Sequence, residues 1–121
     1  MLEGTFDHRI MGELGPREGE RIIPKRRYSA FYRTPLEEHL RGLGVQDLVI
    51  CGVMTNLCCE TTARDAFIRD FRVFFVHDAT ATSAKELHLA SLMNLAYGFA
   101  VIVDTEDVLR ALAPLSSDTR P

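Results

Sequence analysis

Three apolar runs set the frame of this chain: Leu48 to Cys51, Phe71 to Val76 broken only by Arg72, and Phe99 to Val103. Each is rich in β-branched or aromatic residues and apolar at consecutive positions, which reads as a strand buried on both faces. The predicted strands are Asp47 to Gly52, Phe71 to His77 closing at Asp78, and Phe99 to Val103. Between the first two, apolar and small residues recur at helical spacing from about Leu57 to Asp70. Cys58, Thr62 and Ala66, with Cys59, Ala63 and Phe67 beside them, form the inward stripe of that helix. Ser83 with Glu86 three residues on has the form of a capping box opening a helix through about Tyr97. Thr105 caps a last helix through Leu112, and Pro114 onward is a polar tail. Upstream, Thr34 is an N-cap followed by a proline suited to a first turn. Leu36, Leu40 and Leu43 continue that helix, and Gly44 stops it. Arg21 to Pro24 is a short strand candidate with its end at an edge or exit. Lys25 to Phe31 is loop, and residues 1–20 are loop with at most a short helical turn. Strands apolar throughout, alternating with amphipathic helices, predict an α/β fold: a parallel sheet with helices on both faces.

At 121 residues the chain fits one domain and one core. Its formal charge of −3 gives no reason to expect nucleic acid or an anionic membrane as partner. No apolar run approaches the roughly 20 residues of a membrane span, and the first residues lack the basic-then-apolar order of a signal peptide. Three cysteines, two of them adjacent, make a disulfide framework improbable and point to the reducing cytoplasm.

The chemistry concentrates after the first strand. Gly52 ends it, a short turn follows, and a helix begins beside Cys58, which puts a thiol at the carboxyl end of a parallel strand and at a helix N-terminus. Ligands of open α/β sheets sit at such strand ends, and the positive end of a helix favours a thiolate. A small buried core residue is an equally good reading of Cys58 from position alone. Cys59 and Cys51 read as packing residues. The Cys-x6-Cys-Cys spacing does not form a metal site. Lys25, in a Lys-Arg-Arg run, is either a solvated basic turn or a cation that holds negative charge on the thiol and the substrate. Asp78 reads first as a cap for the turn after its strand, and Arg64 and Asp65 as makers of surface pairs. His77 and His88 have no evident partner. Gly42-Leu-Gly44 precedes a strand, the wrong order for a dinucleotide loop.

Taken together, Pro24 to Leu36, Cys51 to Ala66 and Phe71 to Ala79 resemble three blocks of the isochorismatase-like hydrolase superfamily of cysteine hydrolases, and Gly4-Thr5 resembles the pair that precedes the first block. The resemblance covers roughly residues 4 to 110. It implies Lys25 as the catalytic lysine and Cys58 as the nucleophile. It also implies a non-proline cis peptide between Val53 and Met54, with an oxyanion hole from the N–H groups of Met54 and Cys58. Thr55 and Asn56 would shape that turn, and Tyr28 and Phe31 are further candidates for the substrate pocket. The implied fold is a Rossmann-like parallel sheet lacking the family's first strands, so that residues 1–121 form the C-terminal two-thirds of the domain. The family's catalytic aspartate would lie on the first strand, and none of Asp7, Asp65 or Asp78 matches it. The metal-ligand segment of the nicotinamidase branch would also lie upstream, so no metal ligand and no cofactor is assigned.

The resulting expectation is a cysteine hydrolase cleaving a C–N bond of a small amide, carbamoyl or ureido compound through a thioester acyl-enzyme. Tyr28 to Phe31 and Thr61 to Asp65 look closest to the ureidoacrylate branch. Cleavage of a vinyl ether needs no cysteine and fits less well. Absence of central strands would leave an apolar edge, for which association into a homo-oligomer is expected. A reading from another class is a catalytically incomplete remnant or fragment serving as an interaction or assembly module.

Overall fold

A computed structural model describes residues 10–114. Gly4-Thr5, Asp7, His8 and the tail beyond Pro114 lie outside the described residues. After a short 3-10 turn at Gly12–Leu14 come α1 (Leu36–Gly42), β1 (Asp47–Val53), a π-helical turn (Thr55–Cys59) and α2 (Glu60–Ile68). Next are β2 (Arg72–Ala81), α3 (Lys85–Gly98), β3 (Val101–Val103) and α4 (Thr105–Leu112). The three strands are parallel in the order β1-β2-β3. The predicted α/β class therefore holds.

One core joins the sheet to its helices. Phe31, Cys59, Ala63, Ala66, Phe71, Val73, Phe75 and Leu95 are its buried members, with Leu36, Leu40, Leu48, Ile50 and Ile102 packed against them. Small residues at Cys59, Ala63 and Ala66 let α2 lie close to the sheet. Val76, of opposite parity to Val73 and Phe75, is also buried, and α4 packs on β2. Arg69 binds Glu37 of α1 and Asp65 of its own helix at 2.5 and 2.7 Å. Hydrogen bonds from Arg69, first to Asp65 and then to Glu37, favour its protonated form further. Arg41 lies over the Phe71 ring, 4.0 Å from its centroid. Gly44, at φ 72°, makes the left-handed turn that frees the chain from α1 to enter β1.

Several local readings change. Arg21–Pro24 forms no strand, because no described strand lies beside it to complete a ladder, and Ile22 is exposed. Among the described strands β1 lies at the edge of the sheet, and its apolar run is not buried on both faces: Val49 is 47% exposed. β2 continues past Asp78 to Ala81. Ile50 pairs with Phe75 but Gly52 with Thr80, so β2 bulges between them, and Gly52 takes φ 118° at the same place. The capping box at Ser83 is absent, since Ala84 is the N-cap of α3 and no side chain caps it. Asp104, not Thr105, caps α4. Its carboxylate accepts from the Asp107 N–H at 2.7 Å, and the Asp107 carboxylate accepts from the Asp104 N–H at 3.1 Å. Asp104→Ala is expected to lower stability by about 1 kcal/mol. An unchanged midpoint in urea unfolding would show that the box contributes nothing.

Candidate active site

The turn after β1 is π-helical: the Glu60 N–H bonds the Thr55 carbonyl, five residues back, and the Cys59 N–H bonds the Met54 carbonyl at 3.1 Å. Such turns are frequent at functional sites. Cys59 at the end of this turn and Ala63 and Ala66 of α2 face the core. Cys58 is left half-buried at the rim and Phe67 is exposed, unlike the predicted stripe. The Val53–Met54 peptide bond is cis.

Lys25 comes to this turn from 33 residues away. Its Nζ lies 3.3 Å from Cys58 Sγ and 3.0 Å from the Arg27 carbonyl. The segment carrying it has no regular structure and is held by its neighbours. Ser29 donates to Asp65 at 2.5 Å, the Ala30 N–H donates to Thr62 Oγ1 at 3.0 Å, and Thr62 also reaches the Tyr28 carbonyl at 3.4 Å. Phe31 closes the anchor, buried against Phe71 with ring centroids 5.8 Å apart. Phe31 is thus a core residue that fixes the lysine segment. Tyr28 is exposed.

The other two thiols are set apart by position. Cys59 is 4% exposed. Burial chiefly, then its neighbours Cys58 and Cys51, pushes its thiol up to about 11, with Lys25 opposing. Cys51 is exposed on β1. Asp78 accepts from both the N–H and the hydroxyl of Thr105 at 2.8 Å, so it caps the entry to α4, and the Thr105 hydroxyl is the main cause of its lowered pKa. Asp65 is occupied by Ser29 and Arg69, and Arg64 pairs with Glu60 at 2.9 Å. Among the described residues no group of His, Cys, Asp and Glu could hold a metal ion, and no helix is long and apolar enough to cross a membrane.

Thr55 and Asn56 do not point at Lys25. Thr55 is fully buried with its hydroxyl 2.8 Å from His88 Nδ1, and Asn56 accepts from the Thr82 hydroxyl at 2.6 Å. His88 therefore has a partner that sequence reasoning missed, 33 residues away and without local signal. An open cavity of about 330 Å³ beside these contacts is lined by Thr80, Ala81, Thr82, Ala84, Lys85 and His88.

A thiol touching an ammonium at a strand end is a pair suited to nucleophilic attack on a carbonyl. Known proteins are similar to the chain over most of its length. An isochorismatase domain is matched by residues 1–107. The chain is 53% identical over 117 residues to Nicotinamidase 3 of Arabidopsis thaliana, covering 93% of this chain and 58% of that protein. An isochorismatase-like hydrolase from Alkaliphilus metalliredigens superposes with TM-score 0.87 at 33% identity, over 92% of this chain and 62% of that one. A hydrolase of the isochorismatase family from Chromobacterium violaceum gives TM-score 0.85 at 35% identity, over 93% and 64%. The chain thus spans 58–64% of the length of these relatives. Sequence identity, superposition and domain match converge, and the chain belongs to the isochorismatase family.

Proposed function

We propose that this chain supplies the nucleophile and the cation of a cysteine hydrolase that cleaves the C–N bond of a small amide, carbamoyl or ureido compound through a thioester. The observation that carries the reading is the 3.3 Å contact of Lys25 Nζ with Cys58 Sγ. The Cys58 thiol proton passes to a carboxylate, which the family resemblance places on a strand with no counterpart among the described residues. Sγ bonds to the substrate carbonyl carbon, and the C=O π pair moves onto oxygen. The N–H groups of Met54 and Cys58 receive that oxyanion, with the Lys25 ammonium beside the developing charge. Collapse expels the nitrogen, which takes the proton from the carboxylic acid and leaves an acyl group on Sγ. Water, giving its proton to the same carboxylate, then attacks the thioester and releases the sulfur.

Nicotinamide is the first substrate to test, because the Arabidopsis relative is named a nicotinamidase; small ureido and carbamoyl compounds follow. Acid quenching of the full-length protein during turnover, followed by peptide mapping, is expected to find the acyl group on Cys58. Turnover of these compounds with the acyl group on another residue would refute the assignment. Alkylation gives an independent prediction. If exposure alone governed reactivity, exposed Cys51 would react before half-buried Cys58. With iodoacetamide near neutral pH the expected order is Cys58, then Cys51, then Cys59, the last protected by burial and its raised pKa. Equal rates for Cys58 and Cys51 would argue that the Lys25 contact does not prepare the thiol.

A further inference from the structure

The turn that presents Cys58, together with the first residue of α2, is held by α3 and the loop before it. Three consecutive contacts do this: Thr55 Oγ1 to His88 Nδ1 at 2.8 Å, Thr82 Oγ1 to Asn56 Oδ1 at 2.6 Å, and Ser91 Oγ to Glu60 Oε1 at 2.6 Å. His88 and Ser91 stand three residues apart and so share a face of α3. Thr55 is the first residue of the π-helical turn and is fully buried. A buried hydroxyl must find a partner, and the side chain that meets it is His88. The hydroxyl and imidazole are matched whichever of them donates. If the imidazole were lost, the turn would have to move for the Thr55 hydroxyl to find another partner. Cys58, three residues on, would move with it, relative to an ammonium whose segment is anchored beyond the turn, on Asp65 and Thr62 of α2 through Ser29 and Ala30 and on Phe71 through Phe31.

We propose that His88 is a positioning residue for the nucleophile, holding Cys58 against Lys25 through its hydrogen bond to Thr55. The proposal rests on Cys58 being the reactive thiol, and it gives α3 a role in the reaction although His88 touches neither Cys58 nor Lys25 by hydrogen bond. No proton leaves His88 in this role. Its contribution is geometric, and displacement of a reacting group by about 1 Å can cost on the order of 100-fold in rate.

The three thiols of the chain make the test internally controlled, with iodoacetamide as the probe and no substrate required. The parent protein, His88→Leu, Thr55→Val and the double variant are alkylated at neutral pH, and the rate at each cysteine is read by peptide mass. Expected is a loss of roughly tenfold to a hundredfold at Cys58 in each single variant, with no further loss in the double. Cys51 should keep its rate, and Cys59 should stay protected. His88→Asn, which keeps a hydrogen-bonding atom near Nδ1, and Thr55→Ser should recover most of the Cys58 rate. Unchanged Cys58 rates, or single losses that multiply in the double variant, overturn the proposal. So does exposure of Cys59 in both the disruptive and the conservative variants, because the effect would then be unfolding. Failure of the underlying reading shows differently, as a parent Cys58 no faster than Cys51.

Discussion

Replacing Cys58 by alanine is expected to abolish amide hydrolysis by the full-length protein, while Cys59→Ala leaves turnover in place. The two residues are adjacent in sequence and opposite in environment. Cys58 stands at the rim with Lys25 Nζ 3.3 Å from its sulfur. Cys59 is sealed in the core, and burial moves its thiol pKa still further above neutral. Removing a covalent nucleophile costs on the order of 10⁶ in kcat where that loss has been resolved residue by residue. Removing the Cys59 sulfur takes away packing, at a cost of about 1 kcal/mol of stability. Ammonia release measured for both variants decides the matter. Turnover by the Cys58 variant within tenfold of the parent would sink the assignment. So would loss of turnover in a folded Cys59 variant.

The second large effect is expected at Lys25. Lys25→Met keeps much of the aliphatic stem and removes the charge, and kcat should fall about 100- to 1,000-fold, the range found for deleting one stabilising donor of an oxyanion site. Lys25→Arg is not expected to restore the rate. A planar guanidinium cannot replace a compact ammonium fitted between a sulfur and the Arg27 carbonyl. Thermal stability should stay unchanged, because Lys25 is exposed and its segment is held by Phe31, Ser29 and Ala30. A kcat within twofold of the parent would show that the contact plays no part in the chemistry. A fall that tracked a lowered melting temperature would show the same.

The sheet was legible because apolar runs at Leu48–Cys51, Phe71–Val76 and Phe99–Val103 carry their own signal in every window. Termini set by distant partners were not. Thr80 and Ala81 look like loop residues, yet they join β2 because Gly52 and Val53 of β1 meet them across a bulge. Ser83 and Glu86 have capping-box spacing, yet the backbone enters α3 at Ala84. Asp104 and Thr105 are adjacent and either residue type suits an N-cap, so only the backbone decides that Asp104 is the cap. The thiol was visible as a residue at a strand-to-helix junction. Its cation was not, because nothing near Lys25 in the sequence distinguishes a catalytic lysine from a solvated basic turn. Only resemblance across three blocks named Lys25, and the structure then put the two atoms in contact. His88 lacked even that, since its partner Thr55 lies in another block and is identified by proximity alone.

Ala63 and Ala66 are completely buried where α2 meets the sheet. Their smallness limits how far the sequence can drift. Larger side chains in a filled core are accommodated by moving backbone, typically at about 1–3 kcal/mol. The backbone free to move here is α2, which begins one residue after Cys59. A substitution at either alanine that is neutral in charge and gains in hydropathy would look harmless in a table of residue exchanges. It would nonetheless shift the start of α2 and the thiol before it, and with them Thr62 and Asp65, on which the Lys25 segment hangs through Ala30 and Ser29. Variation on the buried side of α2 therefore bears on both members of the proposed Cys58–Lys25 pair, even where neither residue is changed.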